Sequence, residues 1–346
     1  MRSKWLMVMG GITLILALAL AACGDDEEEA TPTPAATPTA TPEATPPPSP
    51  LGVTVFVTPT DAPPMLVAQG EGFFEEQGLE IDVRVTEEDE PPFLAGQTPV
   101  TKVSSWEAAE LVAEGEDLKY WSTAGGVLFF NGVFTQPDAP YASLEDLQGA
   151  RLGIPGFGTG TWAALKGYSQ GVLGIDAETA FDVVEASPGA LLGLLETGEI
   201  DGALLFSGQT LAATATGFKK LFRFDEAWEA VTGQPLLITG WVGRSDWVAE
   251  NADAFPRFNA AMDAAVQWMT DNAQEFAPGG KYESAAEDAG WLRDEETTQV
   301  VQQWLRDGIY YATSDIYAQP FIDSSQQFHE AILAEAPAPE EVFFLP

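Results

Sequence analysis

The chain has 346 residues, enough for two domains of ordinary size, and 45% of them are hydrophobic, so a buried core can form. Its 53 acidic and 15 basic residues give a formal net charge of −38. This charge would repel nucleic-acid phosphates and argues against DNA or RNA as a partner. High solubility in an external or salty medium explains it more simply than a specific acidic surface for a partner.

The first 23 residues are typical of a targeting segment rather than of a folded element. Arg2 and Lys4 precede an almost wholly apolar run over residues 6–22, and small residues come directly before Cys23. This pattern predicts a signal peptide over residues 1–23, with cleavage and lipid attachment at Cys23. A transmembrane helix is the alternative, because the run is close to spanning length. Cys23 is the only cysteine, so it has no disulfide partner within the chain.

Residues 24–50 have low complexity: an acidic run over residues 25–29 precedes repeats of threonine and proline. Proline favours extended backbone of about 3 Å per residue, which makes such a segment a semi-rigid spacer. We therefore expect an acidic and then Thr/Pro-rich linker that holds the folded part away from a membrane. The folded part then begins at residue 51.

The first predicted strand, residues 53–57, is rich in β-branched residues and leads into a polar loop with Thr60 and Asp61. In open α/β sheets, ligands bind beyond the carboxyl ends of strands, so this loop is the first candidate site. Asp61 can pair with a ligand amine or cap the turn, and the sequence leaves both open. A helix over 65–77, broken near its glycines, and a strand over 79–85 follow.

A second strand-to-helix junction lies at Ser104, Ser105 and Trp106, between a predicted strand over 100–103 and a predicted helix over 105–114. The two hydroxyls and the indole ring make these three residues candidates for ligand contact. Further along the chain, strands are predicted over residues 118–123 and 127–135.

A glycine-rich loop at the centre of the chain is the strongest local signal for a binding site. A short apolar strand over 151–154 precedes it, and residues with helical spacing follow over 161–173. The first turn of such a helix presents free N–H groups and partial positive charge. This loop predicts a backbone-amide cradle for a polar or anionic group, formed by Gly158, Thr159, Gly160, Thr161 and the adjoining Trp162.

Two other interpretations of the glycine loop were weighed. A dinucleotide-binding fingerprint would need its third glycine at position 161, which is Thr161, so that interpretation is discounted. An ordinary turn in which a threonine caps the following helix remains open.

Strands and helices continue to alternate after the glycine loop, which predicts an α/β fold with a parallel-type sheet covered on both faces. Ser207 and Gln209, after the strand over 202–205, are candidate hydrogen-bonding groups, and Trp241 lies on a predicted crossing strand. The further predicted strands cover 181–184, 220–224 and 236–242, and the helices cover 188–197, 210–216, 254–272, 282–289, 295–307 and 322–335.

Three segments in order give the chain a family resemblance: PPMLVAQGEGFFEEQGLEIDV (63–83), SLEDLQGARLGI (143–154) with its glycine loop, and GALLGLLETGEIDGALL (189–205). The chain resembles the substrate-binding proteins of ABC importers for nitrate, sulfonates, taurine and thiamine precursors, over roughly residues 51–346. One departure is the third strand, which in this family usually carries an aspartate. Here the corresponding residues are Pro99, Val100 and Thr101.

The resemblance implies a type II periplasmic-binding-protein fold, with two lobes, two crossover strands and a central cleft. Lobe 1 would comprise residues 51–130 and 242–346, and lobe 2 residues 131–241. Phe129 and Asn131 would lie at the hinge and border the cleft.

The resemblance also implies a function: capture of a small solute in the cleft and delivery to an ABC permease and its ATPase, by a monomeric, membrane-anchored, extracytoplasmic lipoprotein. Family ligands include sulfonates, taurine, nitrate and flat vitamin precursors such as a thiamine pyrimidine or riboflavin. Trp106, Trp162 and Trp241 favour a flat ligand if their rings line the cleft, and core packing of these rings is the alternative.

Catalytic chemistry finds little support in the sequence. His329 is the only histidine, on a predicted C-terminal helix far from the glycine loop, and no Cys/His cluster has metal-ligand spacing. A thiamine-pyrimidine synthase among the relatives needs histidines and a cysteine-rich segment, which this chain lacks. We expect no enzyme, cofactor or metal. An enzyme on the same fold and a ligand-sensing partner of a surface receptor remain as alternatives.

Overall fold

The computed structural model describes residues 51–123, 131–157, 159–224, 226, 227, 230, 233 and 239–308. Several predictions concern residues outside these ranges: the signal peptide, Cys23, the linker, Phe129, Gly158, His329 and the helix over 322–335.

The described strands form three sheets, one of two, one of three and one of five strands. The strands in chain order are β1 (Leu51–Val57), β2 (Leu79–Val85), β3 (Val100–Ser104), β4 (Leu118–Ser122), β5 (Gly132–Thr135), β6 (Arg151–Ile154), β7 (Asp182–Glu185), β8 (Gly202–Leu205), β9 (Lys219–Arg223) and β10 (Thr239–Arg244). The strand orders are β1-β2, β3-β10-β4 and β7-β6-β8-β5-β9. The predicted strands over 79–85 and 202–205 are confirmed to the residue.

The described helices surround these sheets. In chain order they are α1 (Ala62–Gly70), α2 (Phe73–Glu76), α3 (Glu90–Leu94), α4 (Ser105–Glu114), α5 (Gly160–Tyr168), α6 (Ala177–Ala180), α7 (Pro188–Thr197), α8 (Ser207–Ala215), α9 (Ser245–Glu250), α10 (Ala254–Asp271), α11 (Glu283–Asp288) and α12 (Glu295–Arg306). The predicted break near Gly70 and Gly72 is confirmed, because Gly72 adopts a left-handed φ of 83° between α1 and α2. The helix predicted over 161–173 continues past α5 as a π-helical turn, Ser169–Leu173.

The central strands β5, β6 and β8 of the five-stranded sheet are buried on both faces, which explains why they are mostly apolar without polar alternation. β6 runs parallel to β7 and β8, and β5 runs antiparallel to β8 and β9. Val133 and Leu204 belong to the core on one face, whereas Phe134 and Leu205 belong to the core on the other. Successive side chains of a strand point to opposite faces, so each of these strands contributes to both cores.

A separate core lies between β1, β2 and α10. The predicted helical period of residues 254–272 is confirmed: Phe258, Met262, Ala265 and Met269 are all buried on α10. The Phe258 ring packs edge-on against Trp121, with ring centroids 4.8 Å apart. This packing fixes α10 against β4, the strand that carries Trp121.

The crossing strand β10 lies between β3 and β4 and runs antiparallel to both. It begins at Thr239, so the predicted lobe boundary between residues 241 and 242 falls inside this strand. We still propose two lobes, and we place the point where the chain returns from lobe 2 to lobe 1 before Thr239. Among the described residues, no helix is long and apolar enough to cross a membrane.

Candidate functional site

The junction between β3 and α4 is fixed by a capping box. The Ser104 hydroxyl accepts a hydrogen bond from the Glu107 backbone N–H (3.1 Å), and the Glu107 carboxylate accepts one from the Ser104 N–H (2.7 Å). Two of the free donors at this helix start are thereby satisfied. Ser104 therefore serves the helix, and the Glu107 carboxylate occupies the position at which a helix attracts negative charge.

The loop after β1 is also tied internally. The Thr58 hydroxyl donates to the Asp61 carboxylate (3.1 Å) and lies 3.1 Å from the hydroxyl oxygen of Thr60. The Asp61 backbone N–H donates to the Thr58 carbonyl (3.0 Å). Asp61 therefore closes the turn, which is one of the two roles that its sequence position left open.

Asp61 has a second partner that comes from another strand. The Lys102 ammonium on β3 donates to Asp61 Oδ1 at 2.7 Å. The Lys102 side chain is only 2% exposed, whereas Asp61 keeps 24% of its side chain accessible. A lysine is rarely buried this deeply without a paired charge, and Asp61 supplies that charge. The ion pair joins β3 to the loop at the end of β1.

A further carboxyl group lies close to this ion pair. Asp89 precedes α3 and is 9% exposed, and its Oδ2 has no hydrogen-bond partner among the described residues. Burial, and after it the nearby charges of Asp61 and Glu107, raise the pKa of Asp89 to about 7, while a backbone hydrogen bond and Lys102 oppose the shift. Asp89 thus interacts electrostatically with the loop after β1, with β3 and with α4.

The glycine loop ends in the predicted helix cap. The Thr159 hydroxyl accepts from the Trp162 N–H (3.3 Å) and donates to the Gly156 carbonyl (2.8 Å). The cap interpretation is confirmed for Thr159. The N–H groups of Gly160 and Thr161 have no partner among the described residues, as is normal for the first helical turn. The amide cradle therefore remains a prediction that rests on these two donors.

The helices α4 and α5 come from different parts of the chain and approach each other. α4 follows β3 of the three-stranded sheet, and α5 follows β6 of the five-stranded sheet. Cα atoms of the two helices lie within 8 Å of each other.

The aromatic candidates differ in their surroundings. Trp162 is 0% exposed and Trp241 is 1% exposed, and both belong to hydrophobic cores. Trp241 packs against Trp121 with ring centroids 6.1 Å apart. In the described conformation these two rings pack in the protein interior, which was the alternative to ligand stacking. The side chain of Trp106 lies outside the described part of the structure.

Phe157 was not among the sequence candidates, yet it is the aromatic ring that the glycine loop exposes. It is 54% exposed and packs edge-on against Trp162, with ring centroids 6.2 Å apart. Its position between two glycines in the sequence GFGTG was the available signal. An exposed ring backed by a buried tryptophan is a suitable surface for a flat or apolar ligand group.

The remaining candidates lie near the ends of strands. Asn131 precedes β5, is half-buried, and accepts a backbone hydrogen bond from Phe224 (3.4 Å). Gln209 is half-buried in the first turn of α8. The side chains of Ser105 and Ser207 are outside the described set. Among the described residues, no group of three or more His, Cys, Asp or Glu side chains is arranged to hold a metal ion.

Comparison with known families gives one match, to the family described as NMT1/THI5 like, over residues 60–276. A comparison with curated protein sequences finds no match.

Solved structures resemble the chain along most of its length. The periplasmic aliphatic sulphonate binding protein SsuA from Escherichia coli aligns with a TM-score of 0.66 and 13% identity, over 86% of this chain and 93% of that one. The alkanesulfonate-binding protein SsuA from Xanthomonas axonopodis pv. citri, bound to MOPS, aligns with a TM-score of 0.61 and 13% identity, over 86% and 98%. The desulfurization enzyme DSZB aligns with a TM-score of 0.54 and 18% identity, over 85% and 96%.

These structural similarities confirm the predicted fold class. The protein has the α/β fold of the type II periplasmic binding proteins. At identities below 20% they carry the fold and not the ligand, because one fold hosts many functions.

Proposed function

Because the chain belongs to the NMT1/THI5-like family, we propose that it is the extracytoplasmic solute-binding component of an ABC importer. It captures a small organic solute between two lobes and delivers it to a permease and its ATPase. The candidate solutes are a heteroaromatic vitamin precursor, such as a thiamine pyrimidine or riboflavin, and a sulfonate, taurine or nitrate.

The approach of α4 to α5 carries this proposal. α4 begins directly after β3, and α5 begins after β6 and the glycine loop. Each helix is capped by the hydroxyl of the residue that precedes it, and the two helices follow strands of different sheets. A solute held between such helix starts contacts both lobes and therefore binds the closed state better than the open one. That difference in affinity is what couples capture to closure.

The proposed ligand-contacting residues keep the set predicted from the sequence, except for the buried tryptophans Trp162 and Trp241. Thr60, Asp61, Ser104, Asn131, Thr159 and Gln209 border the proposed cleft, and Gly160 and Thr161 supply backbone donors. Phe157 replaces Trp162 as the proposed aromatic contact, because Trp162 is fully buried behind it. Ser105, Trp106, Phe129, Gly158 and Ser207 complete the set as predictions.

Residues 1–50 give the protein its proposed location. Residues 1–23 act as a lipoprotein signal peptide, Cys23 carries lipid, and residues 24–50 space the binding domain from the membrane. Incorporation of labelled palmitate into the wild-type chain, and its loss in Cys23→Ser, tests this part of the proposal. Equal labelling of the two chains would refute it.

Two other functions remain as alternatives. The similarity to DSZB supports an enzyme on this fold, although the sequence offers a single histidine for acid–base work. Product formation from a bound compound would favour the enzyme. Binding of a solute that triggers association with a receptor, and no transport, would favour a sensing protein.

A solute screen with scattering tests the transport proposal. The purified protein is incubated with amines, sulfonates, nitrate and heteroaromatic compounds, and its melting temperature is followed. We expect at least one class to raise it and the same compound to reduce the radius of gyration. A compound that binds without any change of shape would contradict the closure mechanism.

A further inference from the structure

Three basic groups on the strands and helices that carry the candidate loops each have a carboxylate partner. Lys102 pairs with Asp61 at 2.7 Å, and Lys166 on α5 pairs with Glu178 at 3.0 Å. A third basic group, the Arg151 guanidinium, binds Asp201 through two nitrogens, at 3.0 and 3.1 Å. An anionic ligand would therefore have to displace a carboxylate or rely on backbone N–H groups alone.

The start of α4 is already supplied with negative charge. The Glu107 carboxylate binds the Ser104 N–H at 2.7 Å, in the first turn of this helix. A helix start favours one anion by its dipole, and here that anion is a side chain of the protein. A sulfonate placed beside it would meet like charge. The formal net charge of −38 adds a long-range repulsion of anions and an attraction of cations.

Asp89 indicates independently that the site lacks a further positive charge. It is nine-tenths buried, it interacts electrostatically with Asp61, Lys102 and Glu107, and its Oδ2 has no partner within the described residues. A buried carboxyl oxygen without a donor is costly. Two acidic neighbours and one basic neighbour act on it, so the charge that would relieve this environment is positive.

From these contacts we propose that the site selects a small solute with a protonated amino group, which pairs with the accessible side of Asp61 and is attracted by Glu107 and by the ionised form of Asp89. This inference rests on the proposed solute-binding function and narrows it to one class of solute. An ammonium group donates up to three hydrogen bonds, and a carboxylate has about four acceptor positions, so Asp61 can accept one from the ligand beside those from Lys102 and Thr58. The positive charge of Lys102 is neutralised by Asp61, so the net charge around the ligand stays negative.

A charge-matched panel tests the selectivity of the intact protein. Benzylamine, benzyl alcohol and phenylmethanesulfonate share a ring and differ in charge, and pyridylmethyl versions and a set of metabolite amines, sulfonates and neutral heteroaromatic compounds accompany them. Binding is measured by calorimetry and by the melting temperature. We expect the amines to bind at least tenfold more tightly than their sulfonate counterparts, and we expect added salt to weaken amine binding.

Substitutions connect the selectivity to the named carboxyl groups. Asp61→Asn should weaken amine binding at least tenfold, because it removes negative charge at nearly constant size. Asp89→Asn should weaken it at least threefold at pH 8, where the Asp89 carboxyl of the wild-type protein is ionised, and less at pH 6, where it is protonated. Asp82→Asn is the matched control, since Asp82 is an exposed aspartate paired with Arg84 on β2. If Asp61→Asn does not fold, the comparison of Asp89→Asn with Asp82→Asn still tests the selectivity for amines.

The outcomes separate this inference from the proposed function. Tighter binding of sulfonates or neutral compounds, or amine binding that is unchanged in Asp61→Asn and Asp89→Asn, would overturn the amine selectivity and leave solute binding intact. No binding of any compound in the panel would refute both.

Discussion

The Lys102 ammonium lies 2.7 Å from Asp61 Oδ1, and only 2% of the lysine side chain reaches solvent. The two residues are 41 positions apart, one on β3 and one in the loop after β1. This pair therefore holds a candidate ligand-binding loop against the three-stranded sheet. Loss of this pair should lower the stability of the fold and weaken ligand binding.

Removal of the Asp61 carboxylate should be costly, because the buried Lys102 ammonium then loses its 2.7 Å ion pair. We expect Asp61→Asn to lower the free energy of unfolding by about 2–3 kcal/mol, measured by urea denaturation. Glu178→Gln serves as the control, since its pair with Lys166 is largely exposed, and it should cost less than about 1 kcal/mol. Equal costs for the two substitutions would contradict the structural role of the buried pair.

Asp89 should make stability depend on pH. Its pKa is raised from an ordinary 3.8 to about 7, first by burial and then by Asp61 and Glu107, against the opposing Lys102. The native state therefore keeps a proton that the unfolded chain has already lost between pH 4 and 7. Stability from this group is full below about pH 4 and falls as the pH rises to about 7.

Asp89→Asn removes this titration and tests its sign. The variant should gain stability relative to wild type as the pH increases from 4 to 7, by at most about 4 kcal/mol. Thermal or urea unfolding of both proteins at several pH values measures the difference. A constant difference across this range would show that Asp89 does not titrate near neutrality.

The local features of this fold were readable from the sequence, and the contacts between distant segments were not. The strand Leu79–Val85 and the break at Gly72 depend on neighbouring residues only. The Ser104–Glu107 capping box is also a local feature, with the Ser-x-x-Glu spacing typical of such caps.

The environment of a side chain depends on what the rest of the chain packs against it. Phe157 and Trp162 lie in the same loop-to-helix segment, and nothing local decides that the tryptophan is buried and the phenylalanine exposed. The charges around Asp89 likewise come from distant segments, namely the loop after β1, β3 and α4. Sequence patterns therefore predicted a candidate site but not its electrostatic character.

Gly240 marks a position where only a hydrogen atom fits between strands. A Cβ there would lie 2.8 Å from the Tyr120 ring and 2.9 Å from the Ser122 carbonyl oxygen. We expect Gly240→Ala to destabilise the protein by about 1–3 kcal/mol. The control Gly193→Ala, in open space on α7, should instead stabilise it by about 0.5–1 kcal/mol. Calorimetric melting of both variants checks the opposite signs.

Substitution of the exposed ring of Phe157 and of the buried ring of Trp162 should separate effects on solute binding from effects on stability. Trp162→Ala should cost about 3–5 kcal/mol, because the side chain is fully buried. Phe157→Ala should change the free energy of unfolding by less than about 1 kcal/mol, because the ring is mostly exposed. The same substitution should lower the affinity for the solute about fivefold or more, because the proposed role of the exposed ring surface is to contact the ligand. Leu94→Ala, at an exposed leucine of α3, is the control and should leave binding unchanged. Solute affinity that is equal in Phe157→Ala and Leu94→Ala would remove Phe157 from the proposed site and leave the lobe 2 contact to polar groups, among them the amide donors of Gly160 and Thr161.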